Sequence, residues 1–342
     1  MDGHPSLFRL SSLCNECPFY ETCGAADTKY ACPEIWPADK PGGGDVSHPS
    51  KSETIRELEE LGGPEFDTVR ALARVNLDLQ AYTPQARNRR ALKGYLHGDA
   101  YMLRASDVVR KHGVLRAAEL RERLGLAPSV RLYLLMFDRD KLLEQIWTRG
   151  LDLIKQIAGA GYAAVISPSF STYTPRPATE FMINSKRSLL YFVALQKHGV
   201  RAIPRVAWIT SKDAIRFGIW IRENALIEAV AIDLSTYRRA EDWREQMEGL
   251  ELFDRLTDEK LTYLVNGATT EQRCLDLIAL LGADRVRITN ATTQARIQSR
   301  PLRSTGNQTG VSFSARLEKR QGAVESATSR FEREERKVRA VA

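Results

Sequence analysis

The sequence contains no long apolar run. Over its 342 residues, no stretch approaches the ~18 consecutive apolar residues that a membrane-spanning helix needs. Residues 1–13 also lack a basic region followed by an apolar core, which is the pattern of a secretory signal. These absences predict a cytoplasmic protein without a membrane partner.

The sequence also lacks the common phosphate-binding and nucleophile motifs. No Gly-x-Gly-x-x-Gly follows the first predicted strand, and no Gly-x4-Gly-Lys-Ser/Thr occurs anywhere. None of the five histidines lies on a loop that follows a later predicted strand. A dinucleotide-binding fold, a phosphate loop and a Ser-His-Asp triad therefore lose their main support.

The positive charge is concentrated in two segments. Residues 293–342 contain 11 Arg and Lys against 5 Glu, and residues 87–124 contain 10 basic against 4 acidic residues. Such segments favour a polyanionic partner, and nucleic acid is the natural candidate. A solvated face and a solubilising tail are the alternatives. The tail is rich in Ser, Gln, Thr and Gly and poor in aliphatic residues, which predicts disorder.

Four of the five cysteines lie close together, in the pattern Cys14-x2-Cys17-x5-Cys23-x8-Cys32. In a chain without a secretory signal this crowding indicates a metal site before it indicates disulfides. Four thiolates can hold Zn²⁺ or an iron–sulfur cluster, and the prolines that follow Cys17 and Cys32 favour the cluster slightly. Unliganded or redox-paired thiols are the third alternative. Cys274 lies in an apolar helical run and is predicted to be a core residue.

The chain divides by composition into five parts. A Pro- and Gly-rich stretch follows the cysteines, and two predicted helices, 52–61 and 65–79, and a third, 106–124, come next. The predicted parts are a four-cysteine metal-binding segment (1–37), a linker (38–51), a helical region (52–129), a (β/α) barrel-like domain (130–293) and a basic, largely disordered tail (294–342).

From residue 130 onward, short apolar runs alternate with amphipathic helical stretches, which predicts an α/β fold with a parallel sheet. We interpret it as a TIM-barrel-like repeat, with an open doubly wound sheet as the alternative. A barrel needs two more strands, which residues 81–84 and 100–104 could provide. The predicted strands are 131–137, 163–167, 202–209, 228–234, 260–265 and 285–289, and the predicted helices are 141–158, 177–197, 212–223, 240–256 and 271–281.

Polar residues follow the predicted strands, at the edge where parallel β/α folds carry their chemistry. Asp138 and Asp233 are candidate general bases or nucleophiles, with helix N-capping as the alternative. Arg205 interrupts a buried strand and needs an anionic group such as phosphate, unless it faces water on an edge strand. The residues predicted to converge in one site are Asp138, Ser169, Ser171, Tyr173, Arg205, Trp208, Asp233 and Asn266.

Two of these residues have an expected role in stacking, because Trp208 or Tyr173 could contact a base or ring. Asn184, Lys186 and Arg187 lie in the middle of a predicted helix, where a solvated face is expected.

Three motifs carry a resemblance to a known family. They are the Phe-Ser-x-Tyr turn at 170–173, the Asn-x-Lys-Arg-Ser helix at 184–188 and the Pro-x-x-x-Trp strand at 204–208. Over roughly residues 124–293 the chain resembles an uncharacterised family of bacterial and phage proteins, described as a domain of unknown function and often found in mobile elements. The resemblance implies a barrel-like fold and supplies no activity.

Two functions fit these features. The first is an enzyme that acts on nucleic acid or a nucleotide-like substrate, with the metal-containing segment positioning it. The second is a non-enzymatic nucleic-acid-binding or assembly protein that uses a degenerate barrel as a scaffold. The sequence leaves the oligomeric state open.

Overall fold

A computed structural model describes residues 57–87, 98–172 and 178–290. The cysteine segment, the linker and the basic tail lie outside them. Strands and helices alternate along the described chain. The strands are β1 (Gln85–Ala86), β2 (Ala100–Arg104), β3 (Val109–Arg110), β4 (Gly113–Val114), β5 (Arg131–Leu135), β6 (Ala164–Ile166), β7 (Ala202–Ile203), β8 (Ala229–Asp233), β9 (Thr262–Asn266) and β10 (Val286–Thr289). The helices are α1 (Ala105–Val108), α2 (Ala117–Leu124), α3 (Asp140–Ala158), α4 (Ala178–Lys197), α5 (Ser211–Arg222), α6 (Ala240–Leu256) and α7 (Glu271–Leu281).

Eight of these strands form two parallel sheets, which confirms the predicted α/β class. The larger sheet has the order β1-β2-β5-β6-β7, and the smaller one has the order β10-β9-β8. The remaining pair, β3 and β4, is a short antiparallel hairpin. The predicted strand at residues 100–104 is β2, which lies between β1 and β5.

Backbone bridges join the two sheets at both ends. Beyond β7, Arg205 pairs in parallel with Ala231 of β8, and ahead of β1, Tyr82 pairs in parallel with Ile288 of β10. The Val206 amide donates to the Ala231 carbonyl over 2.9 Å, and the Thr83 amide donates to Ile288 over the same distance. Each edge strand of the larger sheet is thus hydrogen-bonded to an edge strand of the smaller one.

The helices cover these strands with apolar faces. Helix α6 buries Trp243, Leu250 and Phe253, and nearly every side chain of β5 is buried as well. Burial of each large apolar side chain contributes about 2 kcal/mol to stability. The predicted boundaries of the last five helices agree with the structure to within one residue. Among the described residues, no helix has both the length and the apolar content of a membrane span.

The helix predicted at residues 65–79 is absent, and the prediction is wrong. This segment has a turn at residues 67–68 and is otherwise without helix. Two of its amides donate to distant side chains: Leu72 to Gln196 Oε1 over 2.7 Å and Ala71 to Asn224 Oδ1 over 2.8 Å. The Val75 amide donates to the Leu226 carbonyl over 2.8 Å. Because tertiary partners satisfy the backbone, the apolar spacing does not require a helix.

The helix predicted at 106–124 is interrupted. Helix α1 ends at Val108, the β3–β4 hairpin follows, and α2 begins at Ala117. The interruption includes Gly113, which belongs to β4. The predicted helix at 52–61 is described only in part, and residues 57–60 of it are helical.

Candidate functional site

The carboxyl ends of the strands bring polar side chains to one face of the sheets. Asp233 of β8 pairs in register with Asn266 of β9, and Asn266 pairs with Thr289 of β10. Residues in register on parallel strands point to the same side. The same rule, followed through the pairs of the larger sheet, puts Arg104 and Arg205 on this side too. This face therefore carries a polar layer at its C-terminal edge.

Three of these side chains, together with Gln85 of β1, form a continuous hydrogen-bonded series. Arg104 Nε donates to Gln85 Oε1 over 3.1 Å, and Gln85 Nε2 donates to Asn266 Oδ1 over 2.6 Å. Asn266 Nδ2 donates in turn to Asp233 Oδ1 over 2.7 Å. A guanidinium only donates and a carboxylate only accepts, so the two ends fix the orientation of both amides between them.

Asp233 is oriented by two donors on one oxygen. Its Oδ1 accepts from Asn266 and from the backbone amide of Ser235, the latter over 3.0 Å. Its other oxygen, Oδ2, accepts no hydrogen bond from any described residue. The side chain is half-buried, so Oδ2 is an oriented acceptor at the edge of the strands.

Arg205 is buried with an incomplete set of partners. The residue is 5% exposed; Nη2 donates to Thr172 Oγ1 over 2.7 Å, and Nε and Nη1 have no hydrogen-bond partner in the described chain. Burial lowers the pKa of Arg205, while Tyr237 and Asp233 act to raise it. Burial also raises the pKa of Tyr237 to about 12, so this phenol is neutral at physiological pH. Arg205 therefore has two buried donors that no described residue satisfies, and the charge of Asp233 acts on its pKa.

Asp138 contacts backbone on both sides. Its Oδ2 accepts from the Ser106 amide over 2.7 Å, and its Oδ1 accepts from the Arg139 amide over 2.9 Å. Helix α3 has Arg139 at its N-cap position, without a side-chain cap. Asp138 thus joins α1, which follows β2, to the loop after β5, and its role as a general base stays a prediction.

The serines of the loop after β6 have structural contacts. The Ser171 hydroxyl donates to the Asp140 carboxylate, and its carbonyl accepts from Asn184 Nδ2 over 2.7 Å. The Ser169 amide donates to the Met136 carbonyl over 3.0 Å. These bonds hold the loop that carries Thr172 against Arg205. Tyr173 lies outside the described residues.

Trp208 belongs to the core, which corrects its predicted role. Its ring stacks on Phe253 with centroids 5.6 Å apart, and Nε1 donates to the Gln246 carbonyl over 3.3 Å. A Cβ at Gly249 of α6 would overlap the indole. Since α6 covers the ring, Trp208 cannot stack on a ligand at the strand ends.

The expectation of a solvated face for residues 184–187 is also wrong. Lys186 is fully buried, and its Nζ donates to the carbonyls of Gly62 over 3.2 Å, Gly63 over 3.1 Å and Glu65. Burial lowers the pKa of Lys186. Arg187 contacts Glu57 and Glu144. Residues 57–65 therefore cover this side of α4, which no local pattern in the sequence predicts.

The family model for the domain of unknown function DUF4417 matches residues 102–277, just over half of the chain. The chain belongs to the DUF4417 family. The sequence resemblance to a family of unknown function is thereby confirmed. The DUF4417 match begins and ends before the predicted limits, and it includes Arg104, Arg205, Asp233 and Asn266 but not Gln85. A search of curated proteins finds no significant match.

Sequence reasoning did not identify Arg104 and Gln85 as site residues of this DUF4417 protein. Each was within reach of the argument that selected Asp233, because Arg104 ends an apolar strand and Gln85 follows the possible strand at residues 81–84. In the part of the chain that the structure describes, no three His, Cys, Asp or Glu side chains are grouped as metal ligands would be. Cys14, Cys17, Cys23 and Cys32 lie outside that part. Cys274 is buried in the core, as predicted.

Proposed function

We propose that the eight parallel strands close into a (β/α)8 barrel of the TIM type. The support comes from the two sets of bridges, Arg205 with Ala231 and Tyr82 with Ile288, which connect both edges of the larger sheet to the smaller one. In such a barrel the polar layer would occupy the C-terminal rim, where enzymes of this fold carry their active sites.

We propose further that this rim binds a phosphate-bearing, nucleotide-like substrate and that the protein is an enzyme acting on it. The observation that carries the proposal is the buried guanidinium of Arg205. Two of its nitrogens, Nε and Nη1, donate no hydrogen bond to any described residue. A buried charge is stable only when an opposite charge or a full set of hydrogen bonds accompanies it. A phosphate supplies both, because its oxygens match the fork of a guanidinium.

Asp233 would act beside the bound phosphate as a proton acceptor. Its Oδ1 accepts hydrogen bonds from Asn266 and Ser235, whereas no described residue donates a hydrogen bond to its Oδ2. A general base needs an oriented lone pair within reach of the reacting group. Asp233 is an oriented carboxylate, and its charge acts to raise the pKa of Arg205.

The test is binding of inorganic phosphate and adenosine 5′-monophosphate to the full chain, measured by calorimetry. Arg205→Met should reduce the affinity for both by about tenfold or more, since a charge-assisted hydrogen bond is lost. The matched control is Arg255→Met, because Arg255 is a 64% exposed side chain at the end of α6. Equal binding by the wild type and Arg205→Met would overturn the proposal.

The second candidate is a non-enzymatic nucleic-acid-binding or assembly protein. The excess of basic residues in 87–124 and 293–342 favours it. Binding of RNA or DNA would then weaken steeply with salt, and removal of residues 294–342 would reduce that salt dependence. Binding that ignores both salt and the deletion would contradict this candidate. A setting in phages or mobile elements is proposed from the sequence resemblance alone.

The N-terminal segment has a separate proposed role. We propose that Cys14, Cys17, Cys23 and Cys32 hold one metal centre, either an iron–sulfur cluster or Zn²⁺. The support is the spacing of the four thiols. This centre would position the segment relative to the substrate.

A further inference from the structure

The polar layer is an arc with an arginine at each end. Its members follow one another over neighbouring and next-neighbouring strands, in the order Arg104 on β2, Gln85 on β1, Asn266 on β9, Asp233 on β8 and Arg205 after β7. Hydrogen bonds connect the first four, and the charge of Asp233 acts on the fifth.

Arg104 keeps most of its donors unused. Only Nε bonds to protein, over 3.1 Å to Gln85 Oε1, and the two Nη groups have no partner in the described chain. Gln85 holds the guanidinium in place because its own amide is fixed by Asn266. The side chain is half-buried at the same edge as Arg205. Arg104 therefore has the features of a second anion subsite.

The middle of the arc offers an acceptor instead of a donor. Asp233 Oδ2 repels phosphate oxygens and attracts an O–H group, since an ionised carboxylate only accepts. A ligand that satisfies the whole arc thus has anionic groups at its two ends and a hydroxyl between them.

Resting on the proposed phosphate site at Arg205, the geometry points to a ribose flanked by two phosphates as the ligand of this protein. One phosphate binds Arg205, the other binds the Nη groups of Arg104, and a ribose hydroxyl donates to Asp233. The same unit occurs in a free nucleoside 3′,5′-bisphosphate and along an RNA backbone.

The test compares adenosine 3′,5′-bisphosphate with adenosine 5′-monophosphate by calorimetry on the full chain. The bisphosphate should bind about tenfold or more tightly, because a second charge-assisted contact forms. Arg104→Gln should remove this preference, because the second phosphate then has no guanidinium to bind. Arg255→Gln is the control, because the Arg255 side chain is 64% exposed at the end of α6. Arg255→Gln should keep the preference.

Three results would overturn the inference. They are equal affinity for the two nucleotides, a preference that survives in Arg104→Gln, and equal binding of the bisphosphate and its 2′-deoxy analogue. If Arg205→Met still weakens monophosphate binding in these cases, the proposed function stands and only the second subsite fails. Absence of any Arg205-dependent binding would remove both.

A short single-stranded RNA added as a competitor distinguishes the two sources of the ligand. Displacement of the bisphosphate by the RNA, dependent on Arg104 and Arg205, supports the backbone as the source. Bisphosphate binding that the RNA leaves unchanged supports the free nucleotide.

Discussion

At the scale of single residues, Arg205 combines a buried charge with one side-chain hydrogen bond, the bond from Nη2 to Thr172. Two unsatisfied nitrogens lower the stability of the ligand-free protein. Arg205→Met keeps most of the side-chain length and removes the charge. We expect the free energy of unfolding to rise by about 1–2 kcal/mol, measured by urea denaturation.

The same variant should lose phosphate binding, so stability and binding would move in opposite directions. Arg255→Met, on the surface of α6, should change the free energy of unfolding by less than about 0.5 kcal/mol. A clear loss of stability in Arg205→Met would mean that the guanidinium has a structural role.

Lys186 is the opposite case, because its buried charge has partners. Its Nζ donates to the carbonyls of Gly62, Gly63 and Glu65. Lys186→Met would leave these acceptors without their donor, so we expect a loss of about 2–3 kcal/mol in urea denaturation. Lys260→Met is the matched control, since the Lys260 side chain is 76% exposed. Equal stability of the two variants would contradict a clamping role for Lys186.

Arg205 and Lys186 also show what can and cannot be predicted for a single residue from the sequence. Arg205 was selected because its neighbours in the strand are apolar, and that local contrast survives in the fold. Lys186 was assigned to a solvated face because helical spacing cannot reveal that residues 62–65 cover it. Trp208 failed for the same reason, since α6 and Phe253 cover its ring from a distant part of the chain.

At the scale of elements, periodicity predicted the regular β/α part well and the N-terminal part poorly. The helices from α3 to α7 have long amphipathic patterns that only a helix accommodates. Residues 65–79 have similar apolar spacing but form no helix. Backbone amides in this segment donate to the side chains of Gln196 and Asn224 instead. Hydrogen bonds between residues 124 and 153 positions apart have no counterpart in a local pattern.

The packing of α6 depends on one small residue. Gly249 faces the indole of Trp208, and a Cβ there would overlap the ring. Ala normally stabilises a helix interior relative to Gly by about 1 kcal/mol. We expect Gly249→Ala to reverse this sign and to lower the free energy of unfolding by about 1–3 kcal/mol, because the core is overpacked.

Glu248→Ala provides the control for Gly249→Ala, since Glu248 is exposed on the same turn of α6. Thermal unfolding followed by circular dichroism should show a lower midpoint for Gly249→Ala alone. A midpoint that rises with the helix propensity would show that Trp208 can move aside.

At the scale of the whole molecule, the clustered cysteines predict a metal content that can be measured directly. Anaerobically purified protein should be brown, with absorption near ~400 nm, if an iron–sulfur cluster is present, or colourless with stoichiometric zinc. Cys14→Ser with Cys17→Ser should abolish the metal, and Cys274→Ala should retain it because Cys274 is a core residue. Fully folded wild-type protein without metal would contradict the prediction.

At this scale, the sequence predicted the α/β class but left open whether the strands close into the barrel that we propose. The number of β/α units allowed either a barrel or an open sheet. What favours the barrel is the bonding of Thr83 to Ile288, two residues about 200 positions apart. Strand pairing between residues so far apart in the sequence depends on the complete chain, and it produces no periodic pattern of apolar residues from which it could be predicted.

The hydrogen bonds from Lys186 to residues 62–65 limit which fragments of the protein can fold. The matched span, 102–277, is the natural choice for a shortened expression fragment. Such a fragment would lack β1 and β10. It would also lack the three carbonyls that accept hydrogen bonds from the buried ammonium of Lys186. We expect it to be insoluble or molten, with poor dispersion of its amide resonances, whereas a fragment of residues 52–293 should give a well-dispersed spectrum. We therefore expect the shortest fragment that folds independently to be longer than the residues that the family model matches.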